Sequence, residues 1–197
     1  MRGYLWDREA RPSGCHLSRT QFANLAIEGE VAVRLCRDLP EDIASDDALA
    51  DCVECWFPVI ELHNYVFRGP TPSRHELVAG NAMHAGFVAP LATLTSQVAV
   101  STCAEIKIEI DGRLVETSNA AELAGGPLGS LRWLANSVAR SREMLKAGDI
   151  VLTGSPGRLI PVNPGCGVVV TCAGQRVELI IDPPASPQVC WPVNSVG

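Results

Sequence analysis

Two glutamates stand two positions apart in the apolar run LAIEGEV, and a third follows in the apolar run VIEL. In an extended backbone, residues i and i+2 point to the same face, so Glu28 and Glu30 are expected side by side, within about 7 Å. On the second run, Glu61 and His63 share a face for the same reason. Carboxylates in apolar surroundings are costly to bury unless they are compensated. The sequence therefore raises the question of what compensates them.

Several arrangements would compensate these carboxylates. Each glutamate pairs with an arginine (Arg34 and Arg37 are near in sequence), or one glutamate stays protonated, or all three ligate a cation. Hard divalent cations take oxygen ligands, and Mg²⁺ keeps open positions for water or substrate. Alternatively, the glutamates lie on the solvated face of an edge strand and form no functional site. The local pattern alone does not decide, although the apolar surroundings and the lack of a matching cationic cluster weaken the solvated interpretation.

The elements that must hold these acids are predicted to be two strands, at 25–36 and 59–67. Between them, SDDALADCVECWF (45–57) has helical periodicity, with Ser45 as a plausible N-cap, and Pro58 is expected to end that helix. A loop is predicted at 68–76.

The second half of the chain is also predicted to be rich in strands. EIKIEIDGRLVETS (105–118) alternates apolar and charged residues around Asp111-Gly112 and predicts a hairpin. A helix is expected from Pro127, then strands at IVLTG, GVVVTCA and RVELIID, and an irregular tail from 182. The absence of regular strand–helix alternation predicts a β-rich α+β fold, a mixed β-roll or barrel-like domain, rather than a doubly wound sheet.

Composition narrows the classes of function. A chain of 197 residues with 47% hydrophobic and 19% charged residues is expected to form a single domain over 1–197. A net charge of −6 argues against nucleic acid or an anionic membrane surface as a partner. The charged N-terminus does not resemble a signal peptide, and no apolar stretch has the length of a bilayer span, so a cytoplasmic location is expected.

Longer motifs carry a family resemblance. LAIEGEVAVRLCRDLP, VIELHNYVF and LKAGDIVLTGS, with GYLWDREA, GNAMHAGF and GGPLGSLRWLANSVA, occur in an order that resembles the 2-keto-4-pentenoate hydratase and 4-oxalocrotonate decarboxylase branch of the fumarylacetoacetate hydrolase superfamily. The resemblance implies a mixed β-roll with flanking helices, like the superfamily's C-terminal catalytic domain. It also implies a homo-oligomer.

The resemblance further implies a metal site and a reaction class. Glu28, Glu30 and Glu61 match the three carboxylates that hold Mg²⁺ or Mn²⁺ in the family. A 2-keto acid chelates such an ion, which stabilises the enolate formed in the reaction. The implied activity is a lyase: a hydratase that adds water to a 2-hydroxydienoic or 2-keto-enoic acid in the degradation of aromatic compounds. A 2-keto acid decarboxylase and a C–C hydrolase are the alternatives within the superfamily.

Five further residues are candidates for the site. By the resemblance, Asp7 matches a family acid near the active site and is expected to transfer protons; the alternative is a solvated charge beside Arg8. His63 is a possible general base or donor to a metal ligand, because it shares the face of Glu61. The resemblance places the remaining three along the substrate pocket, with a plain turn as the alternative for the last two: Asn81, Thr153 and Ser155. His84 is interpreted as a surface or packing residue.

Three departures from the family pattern keep a non-catalytic homologue open as an alternative. The family carries a Gly-Tyr-Lys-Ile-Gly type segment with a catalytic lysine ahead of GYLWD, and the present sequence begins after that segment. Its Gly-His-Pro-Leu motif is Gly125-Gly126-Pro127-Leu128 here, and Gly80 stands where an Asp often precedes the matched Asn81. A homologue that only binds keto acids, or that serves as a structural subunit, would tolerate all three changes.

Overall fold

Strands dominate the computed structural model, which describes residues 1–39, 45–69, 71–90 and 105–184. Three α-helices and eleven strands are assigned in this part of the chain. The helices are α1 (Asp46–Ala50), α2 (Arg74–Ala79) and α3 (Gly126–Ala139). The strands are β1 (Ala10–Pro12), β2 (Cys15–Leu17), β3 (Leu25–Leu35), β4 (Val53–Asn64), β5 (His84–Ala89), β6 (Glu105–Ile110), β7 (Arg113–Asn119), β8 (Ile150–Leu152), β9 (Ile160–Pro161), β10 (Gly167–Cys172) and β11 (Gln175–Ile181).

The strands form two mixed sheets. The first has the order β1-β5-β4-β3-β8, with β9 also paired to β3, and only its β1–β5 pair is parallel. The second has the order β2-β11-β10-β6-β7, with a parallel β2–β11 pair. These sheets confirm the predicted β-rich α+β fold and exclude a doubly wound parallel arrangement. The single domain over 1–197 stays a prediction.

The main core lies between the two sheets, and it explains the glycine between the two glutamates. Ile27 and Val31 of β3 are buried in the same cluster as Ile106 and Ile108 of β6. Gly29 lies on this side of β3, where a Cβ atom would meet side-chain carbons of Ile106 and Ile108 at 3.1 Å. A residue without a side chain allows this close approach, and the alternation of the strand then turns both neighbouring glutamates to the opposite face.

The predicted helix over 45–57 is mostly wrong. Ser45 caps α1 by accepting a hydrogen bond from the Ala48 N–H group, but α1 ends at Ala50 and β4 begins at Val53. Pro58 does not end a helix: it lies within β4, opposite Val31. On its other side β4 pairs with β5 only from Ile60 onward. At Pro58, β5 therefore requires no N–H donor from β4, and a proline is tolerated. Apolar β-branched and aromatic residues over 53–60 suit a strand with both faces covered.

Other predictions have mixed outcomes. The hairpin at 105–118 is confirmed as β6–β7, and the three later strands correspond to β8, β10 and β11. The helix expected from Pro127 is α3, which begins one residue earlier, at Gly126. The loop predicted at 68–76 is partly wrong, because α2 begins at Arg74 with Ser73 and Glu76 as a capping box. Most of the predicted irregular tail lies outside the described residues. None of the described helices combines the length and apolar character needed to cross a membrane.

Candidate metal centre in an acidic cleft

Pairing of β3 with β4 brings the three glutamates together. Glu28 lies directly opposite Glu61, and Glu30 lies opposite Val59, two residues before Glu61. Residues opposite each other in an antiparallel pair share a face, so all three carboxylates project from the side of the sheet that faces away from the main core. On this face the carboxylates adjoin a cluster of buried apolar residues: Ala32, Cys55, Phe57, Val59, Phe87 and Ala89.

Two histidines complete the cluster. The Nε2 atom of His63 lies 3.2 Å from Glu28 Oε2 and 3.3 Å from Glu61 Oε2. The Nδ1 atom of His84 lies 2.6 Å from the other oxygen of Glu61, Oε1. Only 7% of the His63 side chain and 3% of the His84 side chain are exposed. One donor atom each from Glu28, Glu61 and His63 lies within 4.8 Å of the others, a spacing that suits a shared cation.

Burial and mutual repulsion set the ionisation of this cluster. Burial raises the pKa of Glu30 well above its usual value, and the neighbouring Glu61 and Glu28 raise it further. Burial also opposes ionisation of Glu61, but hydrogen bonds from His63 and His84 outweigh it and lower the pKa of Glu61. Burial alone would lower the pKa of His63; the hydrogen bonds to Glu28 and Glu61 raise it to about 9. In the metal-free cluster, protons on Glu30 and His63 therefore offset part of the negative charge of the carboxylates.

This donor set fits a divalent cation. Within the described residues no lysine or arginine forms an ion pair with the three glutamates, so the pairing with Arg34 or Arg37 considered from the sequence is not observed. Glu30 is 2% exposed and accepts one backbone hydrogen bond, from Gly154 N–H at 2.9 Å. Convergent, desolvated carboxylate oxygens without a lysine or arginine partner are ligands that Mg²⁺ and Mn²⁺ accept.

The cluster opens into a cleft of about 810 Å³. Its lining includes the three glutamates and both histidines, and the N-terminal segment over residues 1–7 forms part of its wall. Asp7 belongs to this wall and is exposed, as a group that exchanges protons with a substrate or with water must be. Leu5, Phe87 and Leu134 supply apolar surface to the same cleft. A small organic acid has room beside the carboxylates.

Asn81 also lines the cleft, but its amide is already bonded. Its Oδ1 accepts from Tyr4 N–H at 2.7 Å, and its Nδ2 donates to Tyr4 O at 2.8 Å. Asn81, Ala82 and Met83 all have positive φ, at 50°, 58° and 66°, a backbone conformation that non-glycine residues rarely adopt. The structure therefore shows Asn81 as a clamp on the N-terminal segment, at a strained turn that leads into His84.

The two predicted hydroxyl residues differ in their surroundings. Ser155 lines the cleft, and its hydroxyl accepts from Gly157 N–H at 3.1 Å. Thr153 is buried and donates its hydroxyl to Val31 O at 2.7 Å. Thr153 is absent from the cleft lining among the described residues, so the structure favours Ser155 and the Gly154 backbone as the groups that face a ligand.

The interpretation of His84 as a surface or packing residue did not foresee its contacts with the site. Its side chain is 3% exposed, its Nδ1 atom contacts Glu61, and its Nε2 atom lies 3.7 Å from Glu9 Oε2. Glu9 in turn accepts a hydrogen bond from Trp6 N–H at 3.2 Å. Sequence offered one usable signal, since His84 follows closely on the Asn81 segment that resembles the family's pocket.

Comparison with known proteins identifies the family. The family model described as fumarylacetoacetate (FAA) hydrolase C-terminal matches residues 8–181. The chain belongs to this family. A 4-oxalocrotonate decarboxylase from a Pseudomonas species is 28% identical over 164 residues, which cover 83% of this chain and 61% of the relative. A 2-keto-4-pentenoate hydratase from Burkholderia vietnamiensis is 31% identical over 138 residues, which cover 70% of this chain and 52% of the relative.

Among solved structures, a 4-oxalocrotonate decarboxylase from Pseudomonas putida G7, complexed with magnesium and adipate, has the same fold as this family member. Its TM-score is 0.83 at 23% sequence identity, over 91% of this chain and 68% of that chain. The family member described here spans between half and two thirds of the length of the two curated relatives. The comparisons thus confirm the fold and the family that the motifs predicted.

Proposed function

We propose that the protein is a divalent-metal-dependent lyase, a hydratase that acts on a small 2-hydroxydienoic or 2-keto-enoic acid from the degradation of aromatic compounds. The observation that carries this proposal is the convergence of Glu28, Glu30 and Glu61 in a cleft where they have no lysine or arginine partner among the described residues. Hydratases and decarboxylases of keto acids among the relatives support the same class of substrate.

The metal is proposed to be Mg²⁺ or Mn²⁺, held by Glu28, Glu30 and Glu61. Bound there, it acts as a Lewis acid and a template for the keto acid. As a ligand, the buried carboxyl of Glu30 would have to be ionised, so metal binding there would release its proton. His63 faces both Glu28 and Glu61, so it either donates to these ligands or joins them. Mn²⁺ accepts an imidazole ligand more readily than Mg²⁺ does. Tighter binding of Mn²⁺ than of Mg²⁺ would therefore favour His63 as a metal ligand.

Proton transfer is assigned to Asp7 and, in the arrangement where its Nε2–H group donates to the ligands, to His63. Addition of water to a conjugated acid needs one group that takes a proton from water and one that delivers a proton to carbon. His63 holds a proton at Nε2 within the cluster, and Asp7 lies in the cleft wall with access to solvent. Ser155 and the Gly154 backbone offer polar contacts for a carboxylate, while Leu5 and Phe87 shield the hydrocarbon part from water. Asn81 and Thr153 are proposed to support this pocket from behind, through the bonds they already make.

A decarboxylase is the second candidate, supported by the 4-oxalocrotonate decarboxylases among the relatives and the solved structures. Loss of CO₂ also leaves an electron pair that a bound divalent cation would stabilise, so the same ligand set would serve both activities. A C–C hydrolase and a non-catalytic keto-acid-binding homologue remain the further alternatives. The expected homo-oligomer stays a prediction.

One assay separates these functions. The protein is incubated with Mg²⁺ or Mn²⁺ and 2-hydroxypenta-2,4-dienoate, and the loss of diene absorbance is followed together with the products. Formation of the 4-hydroxy-2-keto acid supports the hydratase, whereas CO₂ release from 4-oxalocrotonate supports the decarboxylase. Binding of oxalate without turnover of either compound contradicts both enzymes and supports the non-catalytic alternative.

Matched variants tie the assay to the site. Glu61→Gln removes a proposed ligand and is expected to abolish metal-dependent turnover. Glu178→Gln alters an exposed glutamate of the second sheet, paired with Arg176, and should leave turnover unchanged. Equal turnover in both variants would contradict the assigned site.

A further inference from the structure

His84 contacts the carboxylate of Glu61, one of the proposed metal ligands. Its Nδ1 atom lies 2.6 Å from Glu61 Oε1, and a contact of this length to an ionised carboxylate requires the proton on Nδ1. His63 contacts the other oxygen of the same carboxylate, Oε2, at 3.3 Å. Both oxygens of Glu61 are therefore held by imidazoles, although the carboxylate lies directly opposite Glu28 and is repelled by it.

The surroundings of His84 leave the ring little freedom. Its side chain is 3% exposed, and its ring lies against Phe87 with 6.5 Å between centroids. It begins β5, opposite His63, directly after the turn with three positive φ angles. Its Nε2 atom has no hydrogen-bond partner among the described residues and faces Glu9 at 3.7 Å.

The N-terminal segment reaches this ring because Gly86 leaves space for it. Gly86 has φ +125°, and a Cβ atom there would lie 2.9 Å from the carbonyl oxygen of Glu9. Glu9 can therefore approach β5 closely enough to present its carboxylate to His84. Glu9 and Glu61 thus lie on opposite sides of the His84 ring, at 3.7 Å from Nε2 and 2.6 Å from Nδ1.

We propose that His84 is a positioning residue of the metal centre, whose Nδ1–H group fixes the carboxylate of Glu61 for metal binding. The proposal rests on the metal-dependent function proposed above. Partners that orient a metal ligand in this way typically change metal affinity by about 10–100-fold when they are removed. The sequence suggested a donor to a metal ligand at His63 but not at His84.

Two substitutions separate this role from a merely structural one. In His84→Asn the side-chain NH₂ group stands near the place of Nδ1, whereas in His84→Gln it stands near the place of Nε2. Binding of Mn²⁺ to metal-stripped protein is measured by calorimetry, with thermal unfolding of each variant as a check of the fold. His16→Gln is the matched control, because His16 is an exposed histidine of the second sheet that pairs with Asp182.

The expected result is that His84→Gln binds Mn²⁺ about 10–100-fold more weakly than wild type, whereas His84→Asn and His16→Gln stay close to wild type. Wild-type affinity in His84→Gln, or an equal loss in both His84 variants, would overturn the positioning role. No binding of Mn²⁺ by the wild-type protein would overturn the proposed metal-dependent function itself, which keeps the two failures distinct.

A second measurement does not depend on the variants being folded. In wild-type protein labelled with ¹⁵N-histidine, the ring nitrogens of His84 report which of them carries a proton. The proposal predicts a protonated Nδ1 whose hydrogen exchanges slowly with water. A His84 ring protonated only at Nε2 would overturn it.

Discussion

Replacement of Gly29 by alanine should destabilise the protein, because the glycine lies where β3 approaches the second sheet. The new Cβ atom would meet carbons of Ile106 and Ile108 at 3.1 Å, whereas carbon–carbon contacts are most favourable near 3.5–4.0 Å. Both isoleucines are fully buried. Either β3 shifts towards the carboxylate face or the isoleucines leave their preferred rotamers.

The magnitude follows from two opposing effects. Overpacking of a filled core costs about 1–3 kcal/mol. The loss of backbone freedom in the unfolded chain returns about 0.4–1 kcal/mol when glycine becomes alanine. We therefore expect Gly29→Ala to lower the free energy of unfolding by about 0.5–2 kcal/mol.

Urea unfolding of metal-free protein measures this difference. Gly167→Ala is the matched control, since it is also a strand glycine but a Cβ atom there meets nothing within 4 Å. The control should be neutral or slightly stabilised. A Gly29→Ala protein as stable as this control would refute the explanation of the Glu-Gly-Glu spacing by close sheet packing.

Three further substitutions test individual contacts. Glu30 has a raised pKa in the folded state, so the stability it contributes is present below about pH 4 and is lost as pH rises through that raised value. Metal-free Glu30→Gln should therefore become more stable relative to wild type as pH increases. An equal stability difference between the two proteins in urea unfolding at pH 5 and at pH 8 would contradict this. Asn81→Leu removes two hydrogen bonds to Tyr4, worth about 0.5–1.5 kcal/mol each, and should speed proteolysis of the N-terminal segment; an unchanged cleavage rate would argue against the clamp. Thr153→Val should cost about 0.5–1.5 kcal/mol of stability through the lost bond to Val31 while Mn²⁺ affinity stays unchanged, and the reverse pattern would restore Thr153 to the pocket.

Local pattern was sufficient to predict which carboxylates share a face. The alternation of a strand fixes the relation of Glu28 to Glu30, and apolar neighbours indicate that the strand is covered on its other side. The register that sets Glu28 opposite Glu61 depends on long-range pairing, and a β-bulge follows between Glu61 and His63. The local pattern left a shared cation for all three glutamates as one alternative among several, and only the family resemblance matched Glu61 to a metal ligand.

Two features that the sequence did not predict, the strand over 53–57 and the contact of His84 with Glu61, have a common physical cause. Four of the five residues over 53–57 are apolar, at positions that suit a helix and a covered strand equally, and tertiary pairing with β3 decided for the strand. His84 comes from a third strand, entered through a strained turn that no propensity predicts. Its contact with Glu61 joins residues 23 positions apart. Contacts of this kind are set by the assembled sheet rather than by local sequence.

The central claim is that the carboxylates of β3 and β4 hold a divalent cation. Anomalous diffraction from crystals saturated with Mn²⁺ tests it most directly, because manganese scatters anomalously and takes the place of Mg²⁺. We predict one strong peak in the cleft, at bonding distance from carboxylate oxygens of both Glu28 and Glu61. A peak elsewhere, or none beside these two residues at saturating Mn²⁺, would contradict the assignment of this metal centre.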